Sequence, residues 1–172
     1  MKLSLIAILL AFASFSFAQE PDNQYIEDYL IKWKNSKEYM LTLVKSMPED
    51  KLSFKPNENA KTFTELTVHI ISNMVWLSTD YLGGEGFKNE YKNRDLSKDE
   101  LLEVLSNAFD YSYQTVEKCS METLTEEQKF FAGPMTGYQI LRLMNDHCTH
   151  HKGQLTLHLK MHDIAVPRYV GW

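Results

Sequence analysis

The sequence predicts an all-α protein, a four-helix bundle with long crossover loops, and three observations carry that reading. Four stretches of about 20 residues or more repeat apolar residues at helical spacing. Thr62, Ser97 and Thr136 each stand three residues before Glu65, Glu100 and Gln139, the spacing of a capping box at a helix start. No two alternating apolar–polar runs flank a turn, so no strand pairing is predicted.

The N-terminus precedes the bundle. Met1-Lys2 leads into Leu3 to Phe17, an apolar run of about fifteen residues ending at Ser16-Phe17-Ala18. A short positive start, an apolar run and small residues at −3 and −1 describe a secretory signal peptide over residues 1–18. Cleavage after Ala18 leaves a domain of residues 19–172 beginning at Gln19, exported to the periplasm or beyond. The run is short for a membrane span, and no cysteine follows the cut to carry a lipid, so no stable membrane anchor is expected.

The first helix is expected from about Asn23 to Lys45, with Ile26, Leu30, Trp33, Met40 and Val44 on one face. Ser46-Met47-Pro48-Glu49 has capping-box spacing with Pro in the first turn and predicts a short helical turn, and Lys55 to Asn59 reads as loop. The second helix starts at Thr62 and runs to about Leu82, where Gly83-Gly84 and Gly86 end it. Residues 85–95 are polar and read as a loose loop. The third helix starts after Ser97, with Leu101, Val104, Leu105, Ala108, Ser112 and Val116 on one stripe. A long connection, residues 120–135, carries one turn near Thr123 to Lys129. The fourth helix starts after Thr136 and runs to about His162. The loops on either side of the third helix leave room for crossover connections, so strict up-and-down order is not required.

Length and composition allow one domain: 172 residues, 44% hydrophobic and 24% charged. A net charge of −5 without any basic run excludes an electrostatic footprint for nucleic acid. Cys119 and Cys148 fall at the end of one helix and the middle of the next, beyond disulfide reach in an antiparallel pair. Trp76 and Tyr81 read as exposed aromatics able to support a homodimer.

The most informative segment is Asp146 to Leu155, D-H-C-T-H-H-K-G-Q-L. His147 and His151 stand four residues apart, which on a helix is about 40° of rotation and roughly 6 Å of rise. Both imidazoles leave one face and can share a divalent cation, zinc or nickel being equally compatible. Ile140, Leu143 and Met144 continue that face upstream, so the polar stripe turns toward the core and must be satisfied there. His158 points the same way but lies about 10 Å further along, and His162 ends the helix. Two ligands need a third, and His69, the remaining mid-helix imidazole, supplies it. Glu65, Asn73, His150 and Gln154 are candidates to support the ligands from behind.

These residues also carry a resemblance. Thr64-Glu65-Leu66 through His69, followed by His147 through His151, Lys152, Gly153 and Gln154, resembles the DinB/YfiT-like superfamily of metal-binding four-helix bundles. That family often has Arg where this chain has Lys152. The turn from Lys51-Leu52 to Lys55-Pro56 and the final Pro167-Arg168-Tyr169 are also similar, so the resemblance spans about residues 23 to 170. It implies a three-histidine site on His69, His147 and His151, and characterised members include low-molecular-weight thiol S-transferases and a thiol-dependent isomerase.

Three neutral imidazoles leave a coordination position open, as in catalytic sites. The expectation is therefore a metal-dependent enzyme of thiol-transferase or hydrolase type acting on a small molecule. Substrate would enter past Phe130 and Phe131, with Tyr138 as a candidate proton donor. The alternative is a non-catalytic exported module that binds a metal or small ligand.

Overall fold

The computed structural model describes residues 23–92 and 94–172. The expected leader over residues 1–18 and its cut before Gln19 lie outside them. The elements are α1 (Asn23–Ser46), a 3-10 turn (Glu49–Lys51), α2 (Phe63–Tyr81), α3 (Lys98–Glu117), the short α4 (Met121–Thr125), β1 (Glu127–Gln128), β2 (Met135–Thr136) and α5 (Gly137–Lys160). The four long helices match the four predicted ones to within about two residues at each end, the usual latitude of helix ends.

Three of the four start as predicted. At Thr62, Ser97 and Thr136 the side-chain oxygen accepts from the backbone N–H three residues on, and the side chain there reaches back to the cap's own N–H. Each cap contributes about 1 kcal/mol by satisfying amides left open in the first turn. The fourth predicted box does not form. Pro48 takes the cap position before Glu49–Lys51 and offers no side-chain acceptor, while Ser46 Oγ donates back to the Thr42 carbonyl. Glu49 instead accepts from the Lys98 N–H at 3.1 Å, tying this turn to the start of α3.

Contacts at four helix pairings set the helix directions. Trp33 and Phe109 meet at 4.9 Å between ring centres and Lys98 Nζ reaches the Lys45 carbonyl, so α1 and α3 are antiparallel. The Ser78 and Ser112 hydroxyls lie 2.9 Å apart and Thr79 bonds Tyr111, which seats α2 against α3, and the directions of the other three pairings make these two helices parallel. Phe63 packs on His158 and Ser78 on Met144, making α2 antiparallel to α5. Tyr25 packs on Tyr138 and Ser36 on Lys152, making α1 parallel to α5. Around the bundle the order is α1, α3, α2, α5.

Parallel neighbours cannot be joined by a tight turn. Residues 82–92 and 94–97 therefore run back along the bundle, the crossover that the sequence left room for. This return is anchored rather than loose: Phe87 packs on Tyr91 and Tyr111, Tyr91 is buried, and the Gly86 N–H donates to the Tyr111 hydroxyl. Aromatic residues within a polar stretch supply the apolar area that holds it down.

The core is continuous, with Trp33, Met40, Leu43, Phe63, Ile70, Met74, Leu101, Phe109, Ile140 and Met144 all buried. The α3 stripe is buried as predicted. On α1 the buried seam runs through Tyr29, Trp33, Ser36, Met40 and Leu43, while Ile26 and Leu30 sit at its edge. The connection after α3 holds α4 and a two-residue antiparallel pair, Glu127 opposite Thr136 and Gln128 opposite Met135, strands too short to show an apolar–polar alternation. Cys119 and Cys148 are free thiols, the latter buried. Among the described residues no helix is long and apolar enough to cross a membrane.

Candidate metal centre

The site forms where α2 and α5 cross in opposite directions. His69 sits two turns into α2, and His147 and His151 occupy adjacent turns of α5 on the face that α2 covers. The three rings lie 4.4 to 4.8 Å apart by their centres. One nitrogen from each falls within 4.8 Å of the others, and among the described residues this is the one His, Cys, Asp and Glu group so arranged. His147 Nε2 is 3.1 Å from His69 Nε2. Ligand atoms about 2.1 Å from a common tetrahedral ion stand roughly 3.4 Å apart, so the His69–His147 pair is already close to coordination spacing.

The electrostatics agree. Burial, then His151, His69 and His150, push His147 down to about 4. Burial, then His151 and Lys61, lower His69. Both are therefore neutral at neutral pH, the state in which imidazole offers a lone pair to a metal. His147 Nδ1 is buried with no hydrogen-bond partner, as is Asn73 Oδ1 one turn beyond His69. A coordinating His147 would carry its proton on Nδ1 and need an acceptor of that kind. The donor set fits a divalent transition ion.

Gln154 bonds the histidine cluster directly. Its Oε1 accepts from His151 Nδ1–H at 2.8 Å and its Nε2 lies 3.2 Å from His150 Nε2. That fixes the His151 tautomer with the Nε2 lone pair free, and it brings His150 into contact through the amide rather than as a ligand. Glu65 does not serve the site. Its carboxylate accepts from the Thr62 N–H, faces Lys55 and is held below the usual range first by that backbone bond. The capping box had already committed it.

His69 forms part of the wall of an open cleft of about 800 Å³ lined also by Thr62, Glu65, Val68, Tyr91 and Arg94. The contribution of Tyr91 and Arg94 was not foreseen, because their stretch read as a loose loop; Tyr91 among polar residues was the available signal. Tyr138 does not reach the site. It is nine residues before His147, on the opposite face of α5, with its ring on Tyr25 and its hydroxyl 3.9 Å from Met121 Sδ. Trp76 and Tyr81 are not exposed aromatics either. Phe130 folds onto both, at 5.7 and 5.2 Å, leaving Phe131 as the outer ring, 83% exposed. Phe131 still lies 6.3 Å from Trp76, which shares the His69 face of α2 two turns further on.

Comparison with known proteins bears on the family and the fold. The chain is 29% identical over 126 residues to the uncharacterised protein YjoA of Bacillus subtilis (strain 168), covering 69% of this chain and 78% of that one. The crystal structure of the same DinB-like protein superposes with a TM-score of 0.70 at 21% identity, covering 83% of this chain and 96% of that one. A DinB-like protein from Bacillus cereus ATCC 10987 gives 0.71 at 20% identity, covering 84% and 97%. At those identities the likeness establishes the fold. The sequence profile of the DinB family matches residues 21–162, most of the described bundle, and the chain belongs to the DinB family.

Proposed function

We propose that this protein binds a divalent transition metal, zinc or nickel, through His69, His147 and His151, and uses the remaining coordination position on a small molecule. The convergence of three imidazoles from α2 and α5, two of them held neutral by burial, is the observation that carries the reading. Such an ion, when bound, supplies Lewis acidity and makes a water or thiol nucleophilic near neutral pH. The protein's own contribution is positional: α2 and α5 hold the ligands, Gln154 orients His151, and the cleft beside His69 admits a ligand from solvent. Thiol transfer to a small electrophile and hydrolysis are the two reactions this arrangement serves.

The test is elemental analysis of protein purified without an affinity tag, followed by assay of the metal-loaded form on electrophile–thiol pairs and a hydrolase panel. About one ion per chain, lost in His147→Ala with the helical content unchanged, is expected. An unloaded wild type under metal-replete conditions overturns the reading. One observation favours a non-catalytic binding module: among the described residues no carboxylate is hydrogen-bonded to the three imidazoles, so none is placed to move a proton. A loaded protein inert across both panels selects that alternative. The apolar leader supports export, and a mature chain beginning at Gln19 by mass spectrometry tests it.

A further inference from the structure

The other side of α5 holds a group that the histidine site does not use. Lys152 lies about 140° around the helix from His147, facing α1, and is 3% exposed. Its Nζ donates to Ser36 Oγ at 3.0 Å, and among the described residues no carboxylate forms an ion pair with it. Lys32 adds another positive charge nearby. Cys148, one turn before, is no counter-charge, because burial pushes its thiol up to about 11. Tyr29 stays neutral for the same reason. A buried ammonium satisfied by one hydroxyl is costly, and an anion brought against it offsets that cost.

Lys152 also lines a pocket of about 270 Å³ between α1, α5 and the C-terminal tail. The tail is held in place. Asp163 turns through φ 54°, the Ile164 N–H donates to the Leu159 carbonyl, Tyr169 packs edge-on against Tyr39 at 5.9 Å, and Asn35 donates to the Trp172 carbonyl. The pocket therefore has the buried Lys152 in its wall, with its Nζ on Ser36, a second lysine, Lys160, at its edge, and apolar walls from Tyr39, Val166 and Tyr169. Small-ligand sites combine mostly apolar walls with a few polar anchors in this way. The walls disfavour a strongly hydrated inorganic oxoanion, and the volume excludes a large ligand.

We propose that this pocket binds a small organic carboxylate, its carboxyl group on Lys152 and its apolar body between Tyr39 and the C-terminal tail. The site is separate from the histidine cluster and does not depend on metal binding.

Titration calorimetry of the full mature chain with benzoate and hexanoate as probes, and inorganic phosphate as comparator, tests this. Saturable binding of a carboxylate probe is expected, weakened at least tenfold in Lys152→Met and retained in Lys152→Arg. Lys152→Met removes a buried charge for a residue of similar shape, a change that proteins commonly tolerate. Thr149→Trp, which fills the pocket from its rim while leaving Lys152 in place, gives a second variant expected to lose binding. Absence of saturable carboxylate binding, unchanged binding in both Lys152→Met and Thr149→Trp, or phosphate binding as tightly as benzoate each overturns the proposal.

Discussion

His69 and His147 are 78 residues apart in the chain, yet their Nε2 atoms face each other across 3.1 Å. A single N–H can bridge two neutral rings at that distance, whereas two lone pairs turned to one ion need both protons on Nδ1. In the bridged form one ring donates Nε2–H, the other accepts, and the donor cannot bind a metal until its proton moves to Nδ1. On the proposed metal-binding reading, both rings must carry their protons on Nδ1 in the loaded state, and the groups that accept those N–H become determinants of affinity.

Gln154 is the acceptor that the third ring, His151, already has. Substituting Gln154→Leu removes the acceptor for His151 Nδ1–H. We expect metal affinity to fall about 10- to 100-fold, the range for lost supporting bonds in metal sites. Because Gln154 is exposed, the thermal midpoint of the metal-free protein should hardly move. Competition with a chromophoric chelator measures the first quantity and circular dichroism the second.

Glu65 and its partner in the capping box, Thr62, separate stability from binding. Thr62→Ala should cost about 1 kcal/mol in denaturant unfolding by removing the cap acceptor. Glu65→Gln should leave metal affinity within twofold, since the carboxylate is bonded to the Thr62 N–H and not to an imidazole. A large affinity loss in Glu65→Gln would restore Glu65 to the site.

Acid should destabilise the metal-free protein over a definite window. His147 is held at about 4 against an ordinary 6.5, and His158 is lowered by burial and by His162, with Phe54 and Phe63 against its ring. The unfolded chain thus takes up protons that the folded chain refuses. The stability that these neutral rings allow is complete above about pH 6.5 and is lost as pH falls toward 4. Thermal unfolding across pH 4 to 8 should show this slope, and His158→Phe should make it shallower. Bound metal should also be released as pH falls, because protons compete for the same lone pairs.

Gly137 is required by space. A β-carbon there would run into the Thr123 carbonyl and come within 2.8 Å of Leu124 Cα, where α4 packs on the first turn of α5. Backbone cannot give way as a side-chain tip can, so Gly137→Ala should destabilise by about 1–3 kcal/mol in urea unfolding. Gly153, with open space beside it, should tolerate the same change.

What the sequence by itself determined was local. Hydrogen bonding within a helix fixes 3.6 residues per turn, so the His147–His151 pair, the α3 stripe and the starts at Thr62, Ser97 and Thr136 were legible from spacing alone. His69 was reachable by elimination, since few other imidazoles lie within a helix. Which helix faces which was not legible, because contacts between helices depend on the area that whole faces bury together. Only the tertiary structure put α2 beside α3 in parallel, with residues 82–92 and 94–97 pinned along the bundle by Phe87 and Tyr91. The same packing set His69 opposite His147, kept Glu65 on its cap, covered Trp76 with Phe130 and sealed Lys152 against Ser36. Spacing along a helix states which side chains share a face, and the partner of that face is decided by the rest of the molecule.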